Sequence, residues 1–211
     1  MIKMIAIIDY GMGNIHSVQK ALQFQGAQTI VTNDPDKIKS AQKAVLPGVG
    51  AFDDAMQELE KQGLLNAIGE FVKTKKPFLG ICLGMQLLFE TSEEAKKAKG
   101  LGLLKGRVRR FEDKSGLKVP HMGWNQLKLK TQNERRKTEC PLLKDIPEDS
   151  FVYFCHSYYP DPQDKTDIAA TTDYGINFAS VVWRENIYGV QFHPEKSQTV
   201  GLVMLKNFVE L

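Results

Sequence analysis

At 211 residues, 42% of them hydrophobic and 25% charged, the chain has the composition and length of a water-soluble globular protein with a full core, most simply a single domain over 1–211. No run approaches the roughly 18 apolar residues of a membrane span, and three widely spaced cysteines form neither a disulfide framework nor a zinc pattern, so a reduced cytoplasmic protein with no metal is expected. The net charge of +3 gives no argument for nucleic acid, and the basic cluster at 128–137 lacks interleaved aromatics and reads as a solvated loop or hairpin.

Residues 4–9 read as a first strand, because Asp9 breaks the apolar start well before a signal peptide would be complete. Residues 14–25 read as a helix, with Ile15, Val18 and Leu22 near helical spacing and Gly26 as the stop. Strands are expected at 29–32 and 43–46, the latter ended by Pro47-Gly48. Helices follow at 52–62 and 64–75, parted by Gly63. Phe78–Cys82 is a fourth strand, and 85–90 opens another helix. This βαβα order implies a parallel sheet with helices on both faces. The second half changes to short strand candidates at 107–111, 119–122, 126–129, 151–157, 167–171, 179–184 and 187–191, and closes with a helix at 201–209. The expected fold is α/β, doubly wound and mostly parallel, with a late antiparallel extension.

The segment Gly80-Ile81-Cys82-Leu83-Gly84 joins an apolar strand to a helical pattern. A nucleophile elbow has this form: the central residue occupies a strained turn, and flanking glycines remove side chains that would clash there. The thiol would lie near a helix N-terminus, where thiolate is favoured. The next amide, that of Leu83, is placed to meet a developing oxyanion. An isolated cysteine is more often inert core, which is the reading for Cys140; Cys82 is set apart by the glycines. Cys155 and His156 are neighbours on a strand and face opposite sides, so they form no dyad.

The partner for such a thiol is a base, and Gln191-Phe192-His193-Pro194-Glu195 supplies one. Proline holds its predecessor extended, and in an extended stretch His193 and Glu195 project to one side. A carboxylate beside an imidazole fixes its tautomer and stabilises the imidazolium. No other histidine has a carboxylate two residues on.

Together these motifs resemble the class I, or triad, glutamine amidotransferases. The resemblance narrows with Asp9-Tyr10-Gly11-Met12-Gly13-Asn14, Pro47-Gly48-Val49-Gly50, His121-Met122-Gly123-Trp124-Asn125 and His156-Ser157-Tyr158-Tyr159, which are similar to the glutaminase subunit of imidazole glycerol phosphate synthase and span essentially the whole chain. It implies L-glutamine as substrate, a Cys82–His193–Glu195 triad, a glutamyl thioester and no cofactor. Gly48, Val49 and Gly50 would wall the oxyanion hole opposite Leu83. Gln86, Glu94, His156, Ser157 and Tyr158 would hold the glutamine, with Glu93 an alternative to Glu94. The implied partner is a (β/α)₈-barrel cyclase, met by Tyr10, Asn14, Trp124 and Lys196 and fed with ammonia for histidine synthesis. Similar subunits also serve surface-sugar pathways. A catalytically silent channelling subunit is disfavoured by the intact triad. A dinucleotide-binding loop at Gly11-x-Gly13 is disfavoured because His16 occupies the third glycine position.

Overall fold

The computed structural model describes residues 4–112, 117–130 and 139–211, so most of the basic 128–137 cluster lies outside the described residues. Thirteen strands are described: β1 (Met4–Ile8), β2 (Gln28–Thr32), β3 (Lys43–Gly48), β4 (Phe78–Cys82), β5 (Thr91–Ser92), β6 (Gly106–Arg110), β7 (His121–Gln126), β8 (Lys128–Leu129), β9 (Phe151–His156), β10 (Tyr158–Pro162), β11 (Ile168–Asp173), β12 (Asn177–Arg184) and β13 (Ile187–Val190). The α-helices are α1 (Ile15–Phe24), α2 (Pro35–Ser40), α3 (Phe52–Lys61), α4 (Leu64–Lys73), α5 (Leu83–Gln86) and α6 (Gln198–Glu210).

The main sheet has the order β2-β1-β3-β4-β13-β12-β11-β8. Its first five strands run parallel, and β12, β11 and β8 add on antiparallel. The period of two explains both cores. Ile5 and Ile7 of β1 pack in the core that holds α1 and α6, while Ala6 and Ile8 face the core that holds α2, α3 and α4. The same alternation sends Val45, Leu79 and Ile81 to the first core and Ala44, Leu46 and Phe78 to the second. Buried Lys43 ties the layers together, donating from Nζ to the carbonyls of Phe208 and Val209 at 2.8 Å each and so satisfying the end of α6.

Several boundaries differ from expectation. Strand β3 runs on through Pro47-Gly48, because β1 stops pairing with it after Val45 and proline is tolerated on an open flank. The helix expected at 85–90 is one turn beginning at Leu83. The candidates at 119–122 and 126–129 resolve into β7, which pairs with β9, and the short β8, which joins the main sheet. Helix α2 was not expected, although Asp34-Pro35 signals it: the Asp34 side chain accepts from the amides of Asp36 and Lys37, and proline opens the first turn. Strand β10, also unforeseen, follows β9 after one residue and pairs with β6. Among the described residues no helix is long and apolar enough to cross a membrane.

Candidate active site

Three adjacent strand ends deliver the site. Parallel pairing sets Gly48 of β3 against Cys82, and Val190 of β13 against Ile81, so the chain leaving β13 brings Gln191 and His193 beside Cys82 at the carboxyl edge of the sheet. Cys82 itself has φ 56° and ψ −113°, a strained backbone for any residue with a side chain. The turn closes only on glycine. A Cβ on Gly84 would lie 1.8 Å from the Leu46 carbonyl oxygen, and one on Gly80 would lie 2.6 Å from that of Gly84. Since α5 is a single turn, its dipole is small, and His193 replaces it as the group that sets the charge around the sulfur.

His193 is 4% exposed. Its Nδ1 lies 2.9 Å from Glu195 Oε1, and the ring also shares a side-chain hydrogen bond with Cys82, which leaves Nε2 as the nitrogen for sulfur. Burial would depress this histidine, but the hydrogen bonds and charges of Cys82 and Glu195 outweigh it and push it up to about 10. The imidazolium form of His193 is therefore the favoured one beside the sulfur. Residues 193–195 are not extended as expected: Pro194–Lys196 forms a 3₁₀ turn, and the turn rather than strand alternation brings the carboxylate back to the ring. Glu195 Oε1 also accepts from Asn14 Nδ2 at 3.1 Å. Asn14, expected at a partner face, is thus engaged by the Glu195 carboxylate, a contact between residues too far apart in sequence for any local pattern to signal.

A cleft of about 310 Å³ opens over the sulfur, at the small end of the range for small-molecule sites. Val49, Gly50, Leu83, Gln86, Glu94, His156, Ser157, Tyr158, His193 and Lys196 line it, joined by Pro120 and Cys155, which were not foreseen. Gly48 sits behind that wall. A Cβ there would meet the Tyr10 hydroxyl at 2.6 Å and the Gly84 amide at 2.9 Å. The Val49 amide does not face the sulfur; it donates to the Met12 carbonyl at 3.2 Å. The expected pairing of the Val49 and Leu83 amides over one oxyanion is therefore absent in this conformation.

The two candidate carboxylates separate cleanly. Glu94 lines the cleft, accepts from the Phe52 amide at 3.0 Å, and is raised above the ordinary glutamate range chiefly by burial. Glu93 turns the other way, accepting from the Arg110 amide at 2.9 Å. His156 lines the cleft, but its ring is committed elsewhere: Nδ1 is 2.7 Å from the Tyr158 carbonyl and Nε2 is 3.0 Å from His121 Nδ1. Burial lowers both histidines, to about 3 for His156 and about 4 for His121, so each is neutral. His156 thus braces the wall and offers the ligand no ring nitrogen. Gln86 Nε2 spends both hydrogens, on the Tyr158 carbonyl at 2.9 Å and Gln191 Oε1 at 3.0 Å. Gln191 Nε2 in turn lies 3.8 Å from Cys82 Sγ. Sequence reasoning passed over Gln191, although it stands two residues before His193.

Of the expected partner-facing residues, Tyr10 is corrected. It is 1% exposed, its hydroxyl is buried without a hydrogen-bond partner, and burial raises it far above the ordinary tyrosine range. Trp124 is 47% exposed and packs edge-on against Tyr153. Lys196 is exposed, with Nζ 5.9 Å from the centre of the Tyr153 ring. Among the described residues no cluster of three or more His, Cys, Asp or Glu is arranged to hold a metal ion.

Known proteins place this geometry in a family. The model of class I glutamine amidotransferases matches residues 6–211. The imidazole glycerol phosphate synthase subunit HisH of Acaryochloris marina is 51% identical over 207 residues, covering 98% of this chain and 94% of that protein. HisH of Geobacter sulfurreducens is 50% identical, covering 98% of each. Among solved structures, PurLQS of Thermotoga maritima aligns over 100% of this chain and 97% of its own at 19% identity, with a TM-score of 0.74. A glutamine amidotransferase of the same organism aligns over 92% and 77% at 18% identity, with a TM-score of 0.63. These two likenesses establish the fold. With half its residues shared along nearly the full length of both chains, this protein belongs to the class I glutamine amidotransferase family and, within it, to the HisH subunits of imidazole glycerol phosphate synthase.

Proposed function

We propose that the chain hydrolyses L-glutamine to glutamate and ammonia through Cys82, His193 and Glu195, and passes the ammonia to a cyclase partner in histidine biosynthesis. The observation that carries this is His193, which lines one cleft with Cys82 and has its Nδ1 2.9 Å from Glu195 Oε1. The thiolate attacks the side-chain carboxamide carbon. His193 gives its proton to the leaving nitrogen, the C–N bond breaks, and a glutamyl thioester remains. Having given up its proton, the ring is neutral, and with the sulfur acylated only Glu195 still supports its charge; it then takes a proton from the water that releases glutamate. Glu94 meets the α-ammonium group, while Gln86, Ser157 and Tyr158 help hold the rest of the substrate. Glu195 orients the ring.

The Leu83 amide receives the tetrahedral oxyanion alone until the Gly48–Val49 peptide turns. A trans peptide carries its N–H and C=O on opposite sides, so one rotation releases Met12 and points the Val49 amide at the sulfur. The partner is a (β/α)₈-barrel cyclase that takes N′-[(5-phosphoribulosyl)formimino]-5-aminoimidazole-4-carboxamide ribonucleotide in the cytoplasm, releasing imidazole glycerol phosphate and AICAR. Its binding drives that rotation. Turnover should rise mainly in kcat, by roughly 100-fold or more, when barrel and barrel ligand are both added, which is the worth of one oxyanion donor. Glutamate release is measured for the isolated subunit, with barrel, and with barrel plus ligand. Equal turnover in all three removes the coupling. Full activity in a folded Cys82→Ser protein removes the chemistry.

A further inference from the structure

Polar groups running from the surface to the cleft form one chain of hydrogen bonds whose direction is determined at every link. It begins at two groups that can only accept, the backbone carbonyls of Asp173 and Tyr158. Asn125 Nδ2 donates to the first at 2.9 Å and to His121 Nε2 at 3.2 Å, so that ring nitrogen is an acceptor and His121 Nδ1 carries the proton toward His156. His156 Nδ1 donates to the Tyr158 carbonyl. The same carbonyl requires a donor from Gln86, which places Nε2 there, and the second hydrogen of that Nε2 requires an acceptor from Gln191. Gln191 therefore presents Oε1 to Gln86 and Nε2 to Cys82. No other amide orientation satisfies all these contacts, so the N–H facing the sulfur follows from the network.

We infer that Gln191 is a catalytic residue, whose side-chain amide is a fixed hydrogen-bond donor to the Cys82 sulfur. The inference rests on Cys82 being the nucleophile. Gln191 is 0% exposed, so water cannot substitute for it. The sulfur has two other contacts: His193, which must give up its proton during the reaction, and the Cys155 carbonyl, 3.9 Å away, to which only a protonated thiol can donate. Gln191 is the neutral donor that stays in place when that proton leaves. It favours thiolate over thiol and holds the sulfur in the cleft through acylation and release. Its place follows from the sheet register, one residue past Val190 and beside the end of β4.

The test uses the full chain with its cyclase partner and compares Gln191→Met, which keeps the bulk and removes the donor, with Gln191→Glu, which sets an acceptor against the thiolate. Gln191→Met should lose about 10-fold in kcat, the scale of one charge-assisted hydrogen bond, with KM for glutamine changed by less than about 3-fold. Gln191→Glu should lose more. Iodoacetamide alkylation of Cys82, followed by mass spectrometry across pH, should shift to higher pH in Gln191→Met. A purely structural role would lower the melting temperature or raise KM and leave that pH profile in place. Wild-type kcat and an unmoved alkylation profile in folded Gln191→Met would overturn the inference. If that variant does not fold, Gln191→Asn withdraws the donor by one methylene while keeping the amide, and must show the same profile shift. Failure of the underlying reading is distinct: it appears as activity retained in Cys82→Ser.

Discussion

At the level of single residues, the proposed triad is an electrostatic arrangement before it is a reactive one. His193 is buried, which by itself favours the neutral ring; two acceptors, one of them a carboxylate also held by Asn14, reverse that preference. Acylation needs the imidazolium of His193 as acid. The rate kcat/KM should therefore hold through neutral pH and fall as pH rises through about 10, where His193 loses its proton. Glu195→Gln removes one of the charges that raise His193, so this alkaline limb should move to lower pH, read from a pH–rate profile of the complex. Removing the base should hurt more than removing its orienter: roughly 10³–10⁴-fold in kcat for His193→Ala against about 10²-fold for Glu195→Gln. A Glu195→Gln profile superimposable on wild type would mean that the carboxylate does not support the charge on the ring.

At the scale of the element, the strand-to-helix turn after β4 depends on absent side chains. Gly84 packs against the backbone of β3, and its missing Cβ is the space the Leu46 carbonyl occupies. Backbone cannot step aside as a side chain does, so Gly84→Ala should destabilise the protein by about 3 kcal/mol, the upper range of overpacking, and disable the nucleophile with it. Gly69 is the matched control. It lies inside α4 with nothing within 4 Å of a built Cβ, so Gly69→Ala should stabilise by roughly 0.5–1 kcal/mol through helix propensity and lost unfolded-state freedom. Urea melts of the two variants should move in opposite directions; a stable Gly84→Ala protein would contradict the packing account of the elbow.

At the scale of the molecule, one face gathers the exposed apolar side chains. Trp124 and Phe151 border a shallow groove with Ser197–Val200, and Val49 and Lys196 stand at the mouth of the cleft. Met122 and Phe151 are 60% and 53% exposed, unusual for side chains of that size unless they meet another surface. Trp124→Ala should weaken the complex with the cyclase by about 30-fold, as for an aromatic hot spot, while leaving the melting temperature of the isolated subunit unchanged. Phe24 is more exposed still, at 76%, but it lies at the far end of α1, toward the opposite edge of the sheet. Phe24→Ser should leave affinity as it was. Titration calorimetry of both variants against the cyclase separates a directed interface from general surface stickiness.

The features legible in the sequence alone are local ones. Alternating apolar runs specified the parallel core, because a two-residue period sorts side chains between two faces without reference to anything distant. The glycines around Cys82 announced an elbow, because only a strained turn needs both. Asp34-Pro35 held a helix start that could have been read by the same rules. Tertiary structure decided whatever depended on register and on polar partners far apart in the chain. Pairing of β13 with β4 set Gln191 and His193 beside Cys82, and the fold of the first loop brought Asn14 to Glu195 and buried Tyr10. Glu93 and Glu94 are neighbours with the same chemistry, and only the strands around them sent one into the cleft and the other to Arg110. Neither residue type nor spacing encodes such choices, because a hydrogen bond acts only over the last few ångströms, once the sheet has put its donor and acceptor there.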